Sequence, residues 1–146
     1  MGVLLQKGKS DFDSQEEIKY VIHQLKQRNL SQIYECIETI DDQYPTRYKL
    51  VYQEFEDIFG WLMDDTEPLF NKLKEFNMVD VYEALGVMVM FCGEEFEKKC
   101  GFVFRLFDFD NSFTLEKTEL MKTVKVVLRG ICKVVGLPLP SQKFSE

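Results

Sequence analysis

The sequence predicts an all-α fold, and three observations carry that expectation. Apolar residues recur at three- and four-residue intervals from Ile18 to Val134. No stretch alternates apolar and polar residues over strand length. The breaks between periodic runs hold helix-starting and helix-stopping residues, among them Asn29, Asp64, Gly93 and Gly136. The chain has 146 residues, 45% of them hydrophobic, with thirteen Phe. A chain of this size and composition buries enough surface to fold on its own core.

Ser14 can cap a first helix, with Glu16 and Glu17 in its first turn and Ile18, Val21, Ile22 and Leu25 on one face. Ile33, Ile37 and Ile40 mark a second helix, closed by a turn at Asp41 and Asp42. Pro45 and Thr46 open a third, with Val51, Phe55, Ile58 and Leu62 inward. Asp64, Asp65 and Thr66 are caps for a fourth, which carries Pro68 early and Leu69, Phe70, Leu73 and Phe76 as its apolar face. Asn77 breaks that pattern. Val79–Cys92 is apolar nearly all round, as a buried central helix must be. Gly93 ends it, and Glu94, Glu95 and Glu97 begin a helix carrying Phe96, Cys100, Val103, Phe104 and Phe107. A long final helix runs from Lys117 to Val135 and stops at Gly136 and Pro138. Leu120, Val124, Val127, Ile131 and Val134 form its apolar stripe, and Lys122, Lys125, Arg129 and Lys133 line another face.

Charge and composition narrow the function. The net charge is −7. Residues 1–119 hold 13 Lys and Arg against 24 Asp and Glu, whereas residues 120–146 hold 5 against 1. The acidic body argues against nucleic acid as a partner, and the basic end suits an acidic protein surface. No apolar run reaches the ~20 residues of a membrane span, and no secretory leader is visible, so cytosol is the default compartment. Met1-Gly2 could start an N-myristoyl signal, but Gln6 stands where that signal wants Ser or Thr. Cys36, Cys92, Cys100 and Cys132 contain no CxxC pair, and His23 is the one imidazole, which fits reduced, mostly buried thiols better than a zinc site. There is no nucleophile motif, no paired acid and base and no phosphate loop among the eight Gly, so no enzymatic activity is expected.

One polar stretch carries chemistry: Asp108–Glu119, between the last two helices. Hard cations such as calcium take six to eight oxygen ligands. A 12-residue loop between helices offers them at alternate positions and ends in a bidentate carboxylate. Asp108, Asp110 and Ser112 fall on the first three ligand positions, Thr114 offers its carbonyl, Glu116 the ninth position and Glu119 the twelfth. Leu115 stands where a core-facing aliphatic residue belongs, with Phe104 and Phe107 before the loop and Leu120 and Val124 after it. The sixth position, normally Gly, is Phe113. A bulky side chain at positive φ costs roughly 1–2 kcal/mol, so calcium is expected to bind weakly here or to have been lost while the loop keeps its shape.

In this spacing the stretch resembles an EF-hand. Two upstream segments read as degenerate copies. In the first, Ile37 and Ile40 precede a loop-like stretch, and Glu54-Phe55 sits before Ile58-Phe59. In the second, Glu83 at the twelfth position puts Lys72, Lys74 and Phe76 at positions that require oxygen ligands. Residues 82–108 further resemble the join between second and third hands in neuronal calcium sensor, calcineurin B-like and calaxin-like proteins. The likeness covers roughly residues 30–140 and is strongest over Val79–Leu137. It implies an N-terminal helical extension (1–30), a degenerate pair of hands (31–93), and a third hand with a long exit helix and short tail (94–146). It also implies a calcium-responsive protein that binds a partner, with a cytoskeletal or axonemal, ciliary assembly as the setting. A metal-free adaptor on the same fold is the alternative. In such proteins a fourth hand follows, and this chain ends about 30 residues short of one. Leu120, Val124, Val127, Leu128 and Ile131 are therefore expected to meet another chain or a missing segment, with Lys122, Lys125, Arg129 and Lys133 beside them. Met78, Met88, Met90 and Met121 are read as core or as adaptable partner surface.

Overall fold

Helix is the dominant conformation in the computed structural model, which describes residues 11–108 and 112–140, with side chains from residue 13 onward. The N-myristoyl reading at Met1-Gly2 and the ligand Asp110 lie outside the described residues. Seven α-helices occur among those residues: α1 (Asp11–Leu25), α2 (Leu30–Gln43), α3 (Tyr52–Phe59), α4 (Glu67–Leu73), α5 (Val81–Phe91), α6 (Phe96–Leu106) and α7 (Lys117–Val135). A short 3₁₀ turn, Gly60–Leu62, extends α3. Two-residue strands β1 (Lys49–Leu50) and β2 (Val79–Asp80) pair antiparallel, Leu50 opposite Val79. After α1, the helices fall into three consecutive pairs, each flanking one loop: α2 and α3, α4 and α5, α6 and α7.

Local chemistry sets several boundaries. Asn29 accepts the amide of Gln32 (3.0 Å), whose side chain returns to the Asn29 amide (2.9 Å), so α2 starts on a reciprocal cap. Asp80 accepts the amides of Tyr82 (2.8 Å) and Glu83 (3.0 Å) and starts α5. Gly136, at φ 80°, ends α7 in the left-handed conformation that glycine adopts without strain.

Three expectations move. Residues 46–51 are not helix, because Leu50 and Val79, both fully buried, pair as strands and α3 starts only at Tyr52. Ser14 lies inside α1 and so does not cap it. Phe76 is not on α4's apolar face. The helix stops at Leu73, and Phe76 sits 97% exposed at the tip of a two-residue turn in which it and Asn77 both have positive φ (53° and 62°). Glu75 and Met78 close that turn by exchanging backbone hydrogen bonds (2.8 and 3.1 Å). Positive φ at both central residues is the requirement of the type I′ hairpin turn.

The core is one cluster centred on α5. Val81, Ala84, Leu85, Val87, Met88 and Val89 are all buried, against Leu25 of α1, Ile33 and Cys36 of α2, Phe55 and Phe59 of α3, and Leu69 and Leu73 of α4. Helix α7 lies across α5, with Val127 against Gly86 and Gly130 against Val87 and Glu83, and it buries Thr123 and Val134. The close approach rests on two glycines. A methyl group at Gly86 would come within 3.2 Å of Val127 Cγ2. At Gly130 it would meet Val87 Cγ2 at 2.8 Å and the Glu83 carbonyl oxygen at 2.9 Å. A flexible side chain can yield, but a helix carbonyl cannot.

Gly130→Ala is therefore expected to destabilise the fold by about 1–3 kcal/mol despite Ala's better helix propensity. Thermal unfolding checks this, and an unchanged or raised midpoint would contradict the close seat of α7.

Candidate functional site

Ser112 and Phe113 fold back onto Asp108. Helix α6 delivers that residue one position after the buried Phe107, and Asp108 itself is only 7% exposed. Its carboxylate accepts the amides of Ser112 (3.3 Å) and Phe113 (2.8 Å). Ser112 Oγ lies 3.4 Å from Asp108 Oδ1 and donates to the Thr114 carbonyl (2.9 Å). The Thr114 carbonyl therefore faces the loop. Phe113 takes φ 64°, the left-handed turn anticipated at that position, with its ring 82% exposed. The strain is local to the backbone, because nothing crowds the ring. Glu119, in the first turn of α7, accepts the amide of Glu116 (3.1 Å). Asp108, Ser112 and Thr114 thus form one group, and Glu116 and Glu119 form another at the head of α7. Among the described residues no set of three or more His, Cys, Asp or Glu side chains converges on a single point. The donors present are hard oxygens, the type that suits calcium.

The same local pattern recurs twice. Leu50, Val79 and Leu115 each stand four residues before a glutamate (Glu54, Glu83 and Glu119) in the first turn of the following helix. Asn77 and Phe113, each six residues before their glutamate, both have positive φ. Leu50 and Val79 pair across the two strands, while Leu115 has no strand partner among the described residues.

The three glutamates differ in what neutralises them. Arg47 holds Glu54 at 2.8 Å. Glu83, its side chain 7% exposed, is held by Lys133 (2.6 Å) and Arg129 (3.2 Å) from α7. The same two cations reach Glu75 at 2.9 and 2.6 Å. No ion pair reaches Glu119 among the described residues. The hydrogen bond from Lys133, aided by the charges of Lys133 and Arg129 against a partial burial cost, holds the Glu75 carboxyl below its ordinary range.

These pairs correct part of the partner surface expected on α7. Arg129 and Lys133 do not face outward, because Glu75 and Glu83 claim both. Val127 turns inward onto Gly86. Leu120 and Val124 are exposed (50% and 40%), and Leu128 and Ile131 are half-buried. Val135, Leu137 and Leu139, which sequence reasoning missed, extend this apolar line in exposed positions. Lys122 is exposed and Lys125 half-buried beside it. The helical period separates the two faces: positions 120, 124, 128, 131 and 135 share one side, and 123, 126, 130 and 134 the other.

A second concavity, of about 590 Å³, opens between α2, α5 and α6. Ile37, Ile40, Val81, Leu85, Phe102 and Leu106 line it, with Tyr34, Tyr48, Arg47 and Arg105 at its rim. The periodicity of α2 and α6 accounts for its apolar wall, but no sequence signal brings those two helices together. Elsewhere, all four cysteines are free. Cys36 and Cys92 are buried as anticipated, but Cys100 is exposed and Cys132 half-exposed. Burial pushes the Cys36 thiol up to about 12. No helix among the described residues is long and apolar enough to cross a membrane.

No family model, no curated protein and no solved structure matches this chain.

A depressed carboxyl contributes stability that is present above its unfolded value, about 4.3 for Glu, and is lost as pH falls through its lower folded value. Glu75→Gln should therefore shrink the loss of thermal stability between pH 7 and pH 3. Equal losses in variant and wild type would show that Glu75 is not held charged by α7.

Proposed function

We propose that this chain is an EF-hand-like, calcium-responsive module that binds a protein partner, with residues 108–119 as its working loop. The observation that carries this reading is the repeated loop pattern. Three glutamates occupy equivalent places at the heads of α3, α5 and α7, and Glu119 alone has no protein cation beside it among the described residues. A loop of hard oxygen donors with an uncompensated glutamate favours a divalent ion. Asp108, Ser112, the Thr114 carbonyl, Glu116 and Glu119 would hold it, together with Asp110. The bound ion would supply charge neutralisation that draws the head of α7 toward the end of α6. The left-handed turn at Phe113 supports a loop already shaped for that role, with its strain lowering the affinity.

The partner reading rests on the outer face of α7. Leu120, Val124, Leu128, Ile131 and Val135 make an apolar line, with Lys125 about a quarter turn from it and Lys122 nearer the opposite side of the helix. That combination fits an amphipathic helix with acidic flanks. Glu119 lies at the head of this same helix, so metal binding and partner binding would act on one element. The resemblance would place the partner in a cytoskeletal or axonemal assembly. A metal-free adaptor is the second reading, favoured by the protein cations already seated at Glu54 and Glu83.

Calorimetric titration with calcium, magnesium present, should give one site, abolished in Glu119→Gln. Phe113→Gly should tighten it about tenfold by removing the positive-φ penalty. No heat in the wild type or in Phe113→Gly would leave the adaptor reading. An acidic amphipathic helical peptide should bind the wild type, and the double change Leu120→Lys with Val124→Lys should abolish that binding. Undiminished binding would remove the outer face of α7 from the proposal.

A further inference from the structure

We propose that the cleft between α2, α5 and α6 binds one single-chain zwitterionic amphiphile, its tail on the apolar floor and its head group between Asp41 and Arg105. The site is separate from the 108–119 loop and from the outer face of α7. Val81, Tyr82 and Leu85 line it from one face of α5, whereas Glu83, Gly86 and Val87 meet α7 on another.

The register of the three helices gives the cleft a polar end and an apolar end. The Leu30 amide reaches Glu94 Oε2 at 3.2 Å, so the start of α2 lies beside the end of α5. Lys99 Nζ reaches the Met90 carbonyl at 2.8 Å, and the rings of Tyr82 and Phe107 lie 5.3 Å apart. Helices α2 and α6 therefore both run antiparallel to α5. Asp41, near the end of α2, and Arg105, near the end of α6, come to the same end of the cleft as Tyr82. Tyr48 joins them there, its carbonyl accepting the Val81 amide at 2.9 Å. Arg47, beside Tyr48, completes the charged lining. The other end is walled by Tyr34, Ile37, Leu85 and Phe102 and has no charged group in its lining.

Charge selects the ligand. Glu54 already holds Arg47 at 2.8 Å. Asp41 and Arg105 are exposed, and neither makes an ion pair among the described residues. An anionic head would suit Arg105 and be repelled by Asp41, and a cationic head would meet the reverse. A zwitterion satisfies both. Its cationic half has aromatic partners as well, because Tyr48 and Tyr82 line this end, and tyrosine faces hold quaternary ammonium. Burial pushes the Tyr82 hydroxyl up, and Tyr48 and Asp41 add to that shift, so the three groups share one neighbourhood. The floor, Ile40, Val81 and Leu85, is buried and aliphatic, which suits an alkyl tail. A volume of about 590 Å³ falls within the range of about 300–1,000 Å³ typical of small-molecule sites. Walls on both sides of α5 admit one chain and exclude a bilayer surface.

The probe is dodecylphosphocholine, titrated below its critical micelle concentration. Calorimetry on the wild-type chain should show one site, with amide shifts on α2, α5 and α6 and none at Leu120 or Val124. Dodecyltrimethylammonium and dodecanoate, each with one half of the head, should bind about tenfold more weakly. Asp41→Lys and Arg105→Glu should each weaken the phosphocholine about tenfold. Both positions are exposed, so neither substitution burdens the core. The singly charged probes separate the two roles: Asp41→Lys should tighten dodecanoate, and Arg105→Glu should tighten the ammonium. No binding to the wild type would overturn the proposal, as would equal affinity for the three head groups or an affinity that both variants leave unchanged. Amide shifts centred on α7 would overturn it too, and so would binding to phosphatidylcholine vesicles without binding of the monomeric amphiphile.

Discussion

The seating of α7 on α5 is the constraint on which the rest of the molecule depends. It joins a steric term to an electrostatic one at the same place. Gly130 lies against the Glu83 carbonyl, and the glutamate's own side chain takes the two cations that flank that glycine. Close helix contact makes the ion pairs reachable, and the ion pairs hold the helix in contact. A group such as Glu83, buried with its charge, would cost several kcal/mol if its partners were removed, so the arrangement is strongly coupled. Changing either term disturbs the other.

That seat also divides α7 into two working faces. The inner face, with Thr123, Val126, Val127, Gly130 and Val134, belongs to the core. The outer face keeps Leu120 and Val124 open to solvent and continues into Leu137 and Leu139. This exposed apolar line is what the partner-binding proposal rests on. The head of the helix carries Glu119 and its tail Lys133, some 21 Å apart at 1.5 Å per residue. One helix therefore carries both the glutamate that follows the 108–119 stretch and the lysine that pairs with Glu75 and Glu83.

The three glutamates show how similar local structures acquire different electrostatics. Each follows an aliphatic residue by four positions, and each sits in the first turn of a helix, where the helix dipole favours a carboxylate. Glu54 meets an arginine seven residues before it, and Glu83 meets cations some fifty residues after it. The first pairing is local. The second requires the last helix to return across the middle of the fold, so the two loops depend differently on the rest of the chain.

Much of this was determined by the sequence alone. The helical spacing from Ile18 to Val134 made the all-α fold legible, because amphipathic periodicity is a local property. The end of α7 at Val135 followed from the glycine and proline after it. The left-handed turn at Phe113 was anticipated because Phe113 falls on the sixth position of the 12-residue loop that the stretch resembles, where the chain turns with positive φ. Other features only the tertiary structure decided. Leu50 and Val79 became strands because each found the other across 29 positions, against the helical reading of residues 46–51. Phe76 left its helix because Glu75 and Met78 closed a tight turn. Arg129 and Lys133 read as part of a basic stripe beside a partner surface, since charge periodicity records the spacing of cations and not what faces them. Their true partners, Glu75 and Glu83, lie about fifty residues upstream and come within reach only when α7 is seated. A contact between distant segments depends on how every intervening element packs, and no local pattern of residues encodes it.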